Sequence, residues 1–435
     1  MTRGLLIAAP ATGSGKTTVT LALLRCLRQS GVAVASVKVG PDYIDPAFHA
    51  AASARPCINL DTWTMRQTTL DALVAFLGED AEMVLGEGVM GLFDGAPGGA
   101  GSTADLARST GWPVVLVVDA SGMAASAAAL VHGFARFDPG VTVAGVIFNR
   151  VGGAAHAEIL RESCAPLGIR VLGCLPEAPD LALPDRHLGL VQADEHPDLE
   201  AFLARAGAWL AAHVDIEALA ELARPARIST GEDTPALAPL GQSIAVARDR
   251  AFAFAYAYVL EAWRVGGAQV LPFSPLADEA PDPGADAVYL PGGYPELHAG
   301  RLAANRRFLD GLRATAARGA AVYGECGGYM VLGEALVDAG GERHALAGLL
   351  PIVTSFEQPG LTLGYRELEL LVDTALGPAG TRFRGHEFHC ARLLTDEGAS
   401  RLFHARDASG RELGPIGARN GSVFASFAHL MDRAP

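Results

Sequence analysis

One run near the N-terminus constrains the fold more than any other feature of the sequence. The run Ala9-Pro-Ala-Thr-Gly-Ser-Gly-Lys-Thr-Thr18 follows a short apolar segment and opens a helix-like segment. Gly13 and Gly15 let backbone amides curl round phosphate oxygens, and a helix N-terminus adds a favourable dipole. A strand, a glycine-rich loop and a helix in this order predict a nucleotide-binding loop, and a chance glycine-rich turn is the alternative.

The residues after the glycines carry the side chains that a nucleotide needs. Lys16 can reach the outer phosphates, Thr17 can ligate magnesium, and Thr18 is a further predicted contact. Pro10 stands where the usual G-x-x-x-x-G-K-T pattern has its first glycine. The loop is therefore a variant, and the choice of nucleotide stays open.

Apolar, β-branched segments alternate with helix-like segments through the first half of the chain. Segments that are apolar on both faces are typical of parallel strands covered by helices. The alternation predicts a doubly wound α/β fold. The predicted strands are Leu5–Ala9, Val32–Val39, Met83–Leu85, Val114–Val118 and Val143–Phe148, and the predicted helices are Thr17–Gln29 and Met123–Phe137.

A change of composition predicts a linker over 224–242, which is rich in Pro, Gly and small polar residues. A second α/β series follows it, and 435 residues suit two to three domains of about 150 residues each. We therefore predict one domain over 1–223 and a second over 243–435. The strands predicted in the second domain are Ser243–Ala247, Gln269–Pro272, Ala287–Leu290 and Ala320–Tyr323.

Charge and cysteine usage narrow the functional classes. The formal net charge is −14 and no strongly basic stretch stands out, which disfavours nucleic-acid binding. The longest apolar stretches fall far short of the roughly 18–20 residues needed to span a bilayer. The six cysteines form no Cys-x-x-Cys pair, which fits a reduced cytosol. We expect a cytoplasmic protein with no nucleic-acid or membrane partner.

Two polar loops follow predicted strands of the first domain, where ligands of open α/β sheets bind. The run Lys38-Val-Gly-Pro-Asp-Tyr-Ile-Asp-Pro46 offers Lys38 for phosphate or substrate, and Asp42 and Asp45 for magnesium or substrate. The run Glu87-Gly-Val-Met-Gly-Leu-Phe-Asp94 offers two more carboxylates. Ordinary turn chemistry is the alternative. Since magnesium prefers hard oxygen ligands, the predicted ligands are Thr17, Asp45 and, as the stronger candidate of the two carboxylates, Glu87.

The second domain holds a cysteine in the setting of a nucleophile. In Val322-Tyr-Gly-Glu-Cys-Gly-Gly-Tyr-Met-Val331 a strand-like segment ends at Cys326 and a helix follows. The pattern Gly-x-Cys-x-Gly is the cysteine form of the nucleophile elbow, in which glycines relieve crowding at a strained turn. A helix N-terminus is expected to lower the pKa of the thiol.

A cysteine nucleophile needs a base, and three histidines compete for that role. His429 lies at the end of a β-type run, while His386 and His389 lie in Arg-Gly-His-Glu-Phe-His389. Spacing alone does not decide between them. Gly292 and Gly293, in Leu-Pro-Gly-Gly-Tyr-Pro-Glu, follow a predicted strand and are candidates for an oxyanion hole, with a plain turn as the alternative.

Taken together, these motifs resemble a known family. The second domain resembles the class I, triad-type glutamine amidotransferases, which have a flavodoxin-like fold, and the first resembles the dethiobiotin-synthetase-like P-loop proteins. Fused in this order they resemble the cobyrinic acid a,c-diamide synthase family of the corrin pathway, including its hydrogenobyrinic acid version, over nearly the whole chain. The motifs that carry the resemblance are Pro-Ala-Thr-Gly-Ser-Gly-Lys-Thr-Thr, Lys-Val-Gly-Pro-Asp-Tyr-Ile-Asp-Pro, Glu-Gly-Val-Met-Gly-Leu-Phe-Asp-Gly, Pro-Gly-Gly-Tyr-Pro-Glu, Gly-Glu-Cys-Gly-Gly-Tyr-Met and Arg-Gly-His-Glu-Phe-His.

The resemblance implies Cys326 as the glutaminase nucleophile and His429 as its partner. Many class I glutaminases have Glu two residues after the histidine, where this chain has Met431. Either the pair works as a dyad or another carboxylate, such as Glu387, orients His429. The implied reaction is amidation of the a and c acetate side chains of hydrogenobyrinic or cobyrinic acid, through acyl phosphates, in cobalamin biosynthesis.

The implied partners are a corrin polycarboxylate, L-glutamine and ATP with Mg²⁺, and a homodimer is left open. A polycarboxylate needs basic contacts, so Arg186 and His187 are candidates, as are Arg366 and Arg384, with a solvated surface charge as the alternative. Further candidate substrate contacts are Asp42, Tyr43 and Asp94. The rival functions are cobyric acid synthase, nickel-sirohydrochlorin a,c-diamide synthase, a MinD-like ATPase switch with a degenerate second domain, and a stand-alone cysteine hydrolase.

Overall fold

The computed structural model describes residues 2–186, 189–229 and 236–434. Within these residues the chain forms two compact units. The first unit comprises residues 2–63 and 70–229, and the second comprises residues 64–69 and 236–434. The change from the first unit to the second falls within the stretch 224–242, for which the composition predicted a linker.

The first unit alternates strands and helices, as the apolar segments predicted. Its strands are β1 (Arg3–Ala8), β2 (Val34–Val39), β3 (Cys57–Leu60), β4 (Met83–Glu87), β5 (Val114–Asp119), β6 (Val143–Val151), β7 (Arg170–Pro176), β8 (Asp185–Arg186), β9 (Gly189–Leu190) and β10 (Arg224–Pro225). Its helices are α1 (Lys16–Gln29), α2 (Asp45–Ser53), α3 (Gln67–Leu77), of which the first turn belongs to the second unit, α4 (Thr103–Thr110), α5 (Ser126–Phe137), α6 (Ala154–Cys164), α7 (Leu199–Ala211) and α8 (Ile216–Glu221).

The main sheet of this unit has the strand order β3-β2-β4-β1-β5-β6-β7, and these neighbours are all parallel. Leu5, Leu6 and Ile7 of β1 are fully buried, as expected for a central parallel strand that is covered on both faces. β10 adds an antiparallel pair to β1, so the first two residues of the expected linker belong to the sheet. β8 and β9 form a separate antiparallel pair.

Local sequence decides how the helices begin. Ser102 caps α4, since its Oγ accepts from the N–H of Asp105 while Asp105 accepts from the N–H of Ser102. α1 begins differently, because the residue before its first turn is Gly15, whose φ of 88° favours glycine and which provides no side-chain cap. The first N–H groups of α1 therefore face the phosphate loop without a side chain to satisfy them.

The second unit contains three sheets. Its strands are β11 (Ser243–Ala247), β12 (Gln269–Phe273), β13 (Ala287–Leu290), β14 (Ala321–Glu325), β15 (Ala335–Val337), β16 (Arg343–Ala345), β17 (Val353–Ser355), β18 (Thr362–Leu370), β19 (Arg382–His389), β20 (Arg392–Thr395), β21 (Phe403–Asp407), β22 (Glu412–Ile416), β23 (Ala418–Asn420), β24 (Val423–Ser426) and β25 (His429–Arg433). Its helices are α9 (Ala257–Val265), α10 (Ala299–Ala304), α11 (Arg306–Ala317) and α12 (Gly327–Leu332). Among the described residues no helix is both long and apolar enough to cross a lipid bilayer.

The predicted strands of this unit lie in a six-stranded sheet of order β12-β11-β13-β14-β24-β23, in which only the β23–β24 pair is antiparallel. Two further sheets were not predicted. One has four strands in the order β16-β15-β17-β20, and the other has five antiparallel strands in the order β22-β21-β18-β19-β25. The five-stranded sheet is important for function because β25 begins with His429.

A short segment from early in the chain, residues 64–69, packs in the second unit. Arg66 donates from its side chain to both carboxylate oxygens of Asp432 and from its backbone N–H to Oδ2 at 2.8 Å. Asp432 lies on β25 and is fully buried. Arg66 therefore compensates a buried negative charge three residues after His429.

Candidate active sites

The register of the first sheet brings three predicted site segments together. Lys38 on β2 pairs with Glu87 on β4, and Glu87 pairs in turn with Ile7 on β1, directly before the phosphate loop. The carboxyl ends of parallel strands meet at one edge of a sheet, where ligands of open α/β proteins bind. The loop with Gly13 and Gly15, both in the left-handed region, and the start of α1 close this edge.

Glu87 is the centre of a buried polar cluster. Its Oε1 accepts from the Thr17 hydroxyl at 2.6 Å and from the Lys38 ammonium at 3.0 Å. Its Oε2 lies 2.6 Å from Nε2 of His49. Lys38 also bonds to Asp45, so its charge lies between two carboxylates. Thr17, Lys38, Asp45 and Glu87, which come from three separate sequence motifs, therefore form one cluster.

Burial and neighbouring charges set the protonation of this cluster. Burial lowers the pKa of Lys16, and the charge of Glu87 only partly offsets that effect. Burial alone would raise the pKa of Glu87, but Lys38 and His49 hold it well below its usual range. Despite burial, contacts with Cys57 and Glu87 raise the pKa of His49 to about 10. Glu87 is therefore ionised at neutral pH, and it lies between Lys38 and His49.

The oxygen atoms of this cluster fit a hard divalent cation. Oε1 of Glu87 and a carboxylate oxygen of Asp45 both accept hydrogen bonds from the Lys38 ammonium. The Thr17 hydroxyl also donates to Oε1 of Glu87. Carboxylate and hydroxyl oxygens are the protein ligands that magnesium prefers, and it usually keeps several waters besides. Lys16 points into the same region, with its Nζ atom 3.0 Å from the carbonyl oxygen of Met90.

Sequence reasoning missed four residues around this site. His49 fixes Oε2 of Glu87, and Nδ1 of His49 lies 3.5 Å from Sγ of Cys57. Asn149, at the end of β6, donates to the carbonyl of Ser14 at 3.0 Å. Arg150 donates to the carbonyl of Gly13 at 3.0 Å. The only available signal was the place of Asn149 and Arg150 near the end of a predicted strand.

The remaining candidates of the first unit have simpler surroundings. Asp42 accepts from the N–H groups of Ile44 and Asp45, which is ordinary turn chemistry at the start of α2, and lies 3.9 Å from Lys38. Asp94 accepts from the N–H of Gly91 within its own loop. Tyr43 lies in the turn before α2 and is partly buried, and Thr18 lies in the first turn of α1. Arg186 lies on β8, and His187 lies outside the described residues.

The elbow predicted at Cys326 is present in the second unit. Cys326 lies between β14 and α12 with φ of 46°, a strained conformation for a non-glycine residue. Its N–H donates to the carbonyl of Ser426 at 2.8 Å. A Cβ atom on Gly328 would clash with the carbonyl of Leu290, so the helix approaches β13 too closely for any other residue. Gly328 is therefore required by packing.

His429 is the histidine that lies beside the nucleophile. A Cβ atom added to Gly292 would lie 3.3 Å from Nε2 of His429 and 3.4 Å from Cβ of Cys326. Both side chains therefore converge on one point at Gly292. His386 stacks on His429 with ring centroids 5.0 Å apart, and its Nε2 lies 2.7 Å from the hydroxyl of Tyr256.

The other histidine and the carboxylate considered as its partner have different contacts. His389 stacks on Phe427, at 3.9 Å between ring centroids, and its Nδ1 lies 3.1 Å from the carbonyl of Ala391. Glu387 accepts from Nε of Arg366 at 2.6 Å. Arg366 and Arg384, which were considered as corrin contacts, thus both pair with carboxylates, Arg384 with Glu367, and their contact with a corrin stays a prediction.

A carboxylate that sequence reasoning missed lies on the far side of His429. Oε2 of Glu325 is 3.6 Å from Nδ1 of His429, and its Oε1 accepts from the N–H of Leu430 at 2.9 Å. The hydroxyls of Tyr289 and Tyr323 donate to it at 2.7 Å and 2.6 Å. Glu325 directly precedes the nucleophile in the sequence, and this adjacency was the available signal.

The expectation of an acidic thiol at Cys326 is wrong. Burial raises the pKa of the Cys326 thiol, the charge of Glu296 raises it further, and the N–H of Gly327 lowers it too little to compensate. α12 has only 6 residues, so its dipole is weak. The thiol is therefore protonated at rest, and a base has to accept its proton when it attacks.

The glycines considered for an oxyanion hole lie next to the elbow. The backbone nitrogen of Gly293 lies beside the start of α12, since a Cβ atom on Gly327 would lie 3.1 Å from it. The carbonyl of Gly292 accepts from the N–H of Phe254 at 2.9 Å, which fixes the turn after β13. Neither glycine tolerates a side chain without displacing His429 or the backbone of Ala251.

Comparison with known proteins finds a family for each of the two parts of the chain. Residues 243–434 match a family described as the CobB/CobQ-like glutamine amidotransferase domain, and residues 5–191 match the CobQ/CobB/MinD/ParA nucleotide binding domain. Over 99% of this chain and 98% of the relative, the chain is 55% identical to a hydrogenobyrinate a,c-diamide synthase of Brucella abortus. It is 52% identical to the protein of that name from Rhizobium meliloti, over 99% of both chains. The chain belongs to the hydrogenobyrinate a,c-diamide synthase family.

Proposed function

We propose that this chain amidates the a and c acetate side chains of hydrogenobyrinic acid, with glutamine as the nitrogen donor and ATP as the source of activation. The observation that carries the proposal is the 55% identity to a hydrogenobyrinate a,c-diamide synthase over 99% of the chain. The two sites described above supply the two half-reactions that this chemistry requires. A match over residues 243–434 and the formed elbow at Cys326 argue against an ATPase switch with a degenerate second domain.

Glutamine is hydrolysed at Cys326. The raised pKa of the Cys326 thiol keeps its proton in place before the reaction. His429 takes this proton as Sγ attacks the carboxamide carbon of glutamine. The backbone N–H groups at the turn of Gly292 and Gly293 stabilise the oxyanion. His429 then protonates the leaving nitrogen, ammonia departs, and water hydrolyses the thioester to glutamate.

The acetate side chain is activated at the phosphate loop, because a free carboxylate is a poor acyl donor. An oxygen of the carboxylate attacks the γ-phosphorus of ATP, which gives an acyl phosphate and ADP. Lys16 and the N–H groups of the loop and α1 stabilise the charge on the transferred phosphoryl group. Ammonia then displaces phosphate and forms the amide. Two rounds give the diamide.

Magnesium is the metal that this site would hold. Thr17 and Glu87 are its proposed ligands, with Asp45 as a third, and Lys38 would move toward phosphate or substrate when the metal binds. The metal would balance charge on the phosphates of ATP. His49 keeps the Glu87 carboxylate oriented for that role. Cytoplasmic location and a homodimer remain predictions.

The corrin substrate is the part of the proposal that a direct assay decides. The purified chain is incubated with ATP, magnesium and glutamine, and with either metal-free hydrogenobyrinic acid or cobalt-containing cobyrinic acid. Mass spectrometry is expected to show a diamide of the metal-free acid. A diamide of the cobalt form alone would identify a cobyrinic acid enzyme. Amidation of neither acid would refute the proposal.

A further inference from the structure

The carboxylate of Glu325 is bound from three directions. The Tyr289 and Tyr323 hydroxyls and the N–H of Leu430 all donate to it, at 2.6 to 2.9 Å. Burial and the charge of Glu325 raise the pKa values of both tyrosines well above the usual value, so both hydroxyls keep their protons and act as donors. Three donors and 2% exposure describe a buried carboxylate that is held in one position.

This carboxylate connects the strand of the nucleophile with the strand of the base. Glu325 is the last residue of β14, directly before Cys326, and Leu430 directly follows His429 on β25. The bond from the N–H of Leu430 therefore sets the position of β25 at the residue next to the imidazole. The ring of Tyr323 stacks on that of Tyr289, at 5.6 Å between centroids, and on that of Phe424, at 5.3 Å. This packing holds both tyrosines in place.

The two nitrogens of His429 face different groups. Nδ1 is the nitrogen near Glu325, at 3.6 Å from Oε2, which is ion-pair distance but too long for a direct hydrogen bond. Nε2 is the nitrogen near the point at Gly292 on which Cβ of Cys326 also converges. A negative charge beside Nδ1 favours a proton on Nδ1 and leaves the lone pair of Nε2 for the thiol. Glu325, Cys326 and the stacked His386 lie near the imidazole, and His389 interacts with it electrostatically.

From this arrangement we infer that Glu325 is the positioning residue of the glutaminase, in the role that a carboxylate after the histidine has in other triads. It acts through His429 by fixing the backbone of β25 and by favouring the Nδ1–H tautomer. The residue two positions after the histidine is Met431, whose uncharged thioether cannot take this role. This inference rests on the proposed glutaminase reaction at Cys326 and His429.

The test uses the full chain with Glu325→Gln, which keeps the shape of the side chain and removes its charge. Glutamate release without corrin substrate is measured, together with ¹⁵N spectra of histidine-labelled protein that report the tautomer of His429. We expect kcat for glutamine hydrolysis to fall about 10²-fold or more with KM within twofold, because a neutral amide in this position favours the wrong tautomer. The spectra are expected to shift toward the Nε2–H tautomer.

Asp432→Asn is the matched control, since Asp432 is also a buried carboxylate on β25 but is bound by Arg66. It is expected to destabilise the protein and to leave the tautomer of His429 unchanged. If Glu325→Gln does not fold, Tyr323→Phe, which removes one donor to Oε1, is expected to give the same tautomer shift in smaller measure.

Three results would overturn the inference. The first is a Glu325→Gln variant that keeps the native tautomer of His429 and glutaminase activity within twofold of wild type. The second is a change of the His429 tautomer in Asp432→Asn. The third is a change of that tautomer in Glu387→Gln and not in Glu325→Gln. Failure of the proposed reaction has a different signature, because Cys326→Ala would then still release glutamate.

Discussion

The Nε2 atom of His49 lies 2.6 Å from Oε2 of Glu87, and both side chains are fully buried. Since Thr17 and Lys38 contact the other oxygen, each carboxylate oxygen of Glu87 is fixed by its own partners. His49 comes one helical turn after Asp45 on α2, so the same helix that carries a candidate metal ligand also orients Glu87. The carboxylate is thus preorganised before any nucleotide binds.

Glu87→Gln tests the metal assignment, because it keeps size and removes charge. We expect a magnesium concentration for half-maximal synthesis raised by roughly tenfold and slower phosphoryl transfer, as expected for a lost carboxylate ligand. Glutamine hydrolysis measured alone is expected to be unchanged. Asp80→Asn, which changes an exposed carboxylate shortly before β4, is the control. Unchanged magnesium dependence with weaker corrin binding would instead identify Glu87 as a substrate contact.

Lys16→Ala is expected to abolish synthesis with either glutamine or ammonium as nitrogen source. The acyl phosphate cannot form when the charge on the transferred phosphoryl group is not balanced, and the expected loss is at least about 10²-fold. The measurement is ADP release together with product mass. Arg28→Ala, at the exposed far end of α1, is the matched control. Synthesis retained with ammonium would contradict the assignment.

Cys326→Ala separates the two half-reactions. Glutamine-dependent amidation is expected to fall by roughly 10³-fold or more, since the nucleophile is lost, while ammonium-dependent amidation persists. His429→Ala is expected to behave in the same way, and Cys390→Ala to retain both activities. Loss of both activities in a folded Cys326→Ala protein would refute the assignment of two separate sites. If His389→Ala, and not His429→Ala, lost only the glutamine-dependent activity, the base would be misassigned.

Gly292→Ala is expected to disable the glutaminase without affecting the nucleotide site. The added Cβ atom would lie 2.5 Å from Cε1 of His429, so the imidazole has to move away from the nucleophile. Displacement of about 1 Å costs on the order of 10²-fold in rate. Gly300→Ala, whose Cβ atom would meet His344 at an ordinary 3.6 Å, is the control. Equal glutaminase rates in both variants would show that Gly292 does not constrain His429.

His386 predicts a pH dependence of stability. Burial, and the charges of His429 and Arg366, hold the pKa of His386 well below its usual value. The folded state therefore keeps His386 neutral while the unfolded state protonates it near pH 6.5, so its contribution is complete above that pH and is lost as pH falls below it.

The comparison of wild type with His386→Gln isolates this effect, because other titrating groups are common to both proteins. In urea denaturation, the free energy of unfolding of wild type relative to the variant is expected to fall below pH 6.5 by up to about 1.4 kcal/mol per pH unit. A difference that stays constant between pH 5 and 7.5 would contradict a neutral buried His386.

The parallel sheets could be predicted from sequence because their strands are continuous apolar runs. Ser243–Ala247 and Ala287–Leu290 were predicted with their observed bounds. The four-stranded mixed sheet and the five-stranded antiparallel sheet of the second unit were missed. β18 and β19 mix buried and exposed positions and carry many charged residues, so neither contains a continuous apolar run. Their stability comes from pairing with each other, which no local pattern reveals.

The separate motifs of the two sites could also be recognised, but the contacts between them could not. Cys326 and Lys16 stand in local patterns with a known mechanism. Glu325 and His49 depend on partners that are distant in sequence, His429 and Glu87, and these pairs form only through sheet register and helix packing. The thiol pKa was mispredicted for the same reason, because burial of Cys326 depends on the whole second unit.

Because residues 64–69 pack in the second unit, they limit how the chain can be split into two separate proteins. A gene cut within 224–242 leaves Arg66 on one polypeptide and Asp432 on the other. The C-terminal fragment would then bury an uncompensated carboxylate on the strand of His429, a defect that costs about 3–5 kcal/mol. Splitting the gene into two separately expressed subunits would therefore require a compensating substitution at position 432. This requirement favours retention of the fused gene.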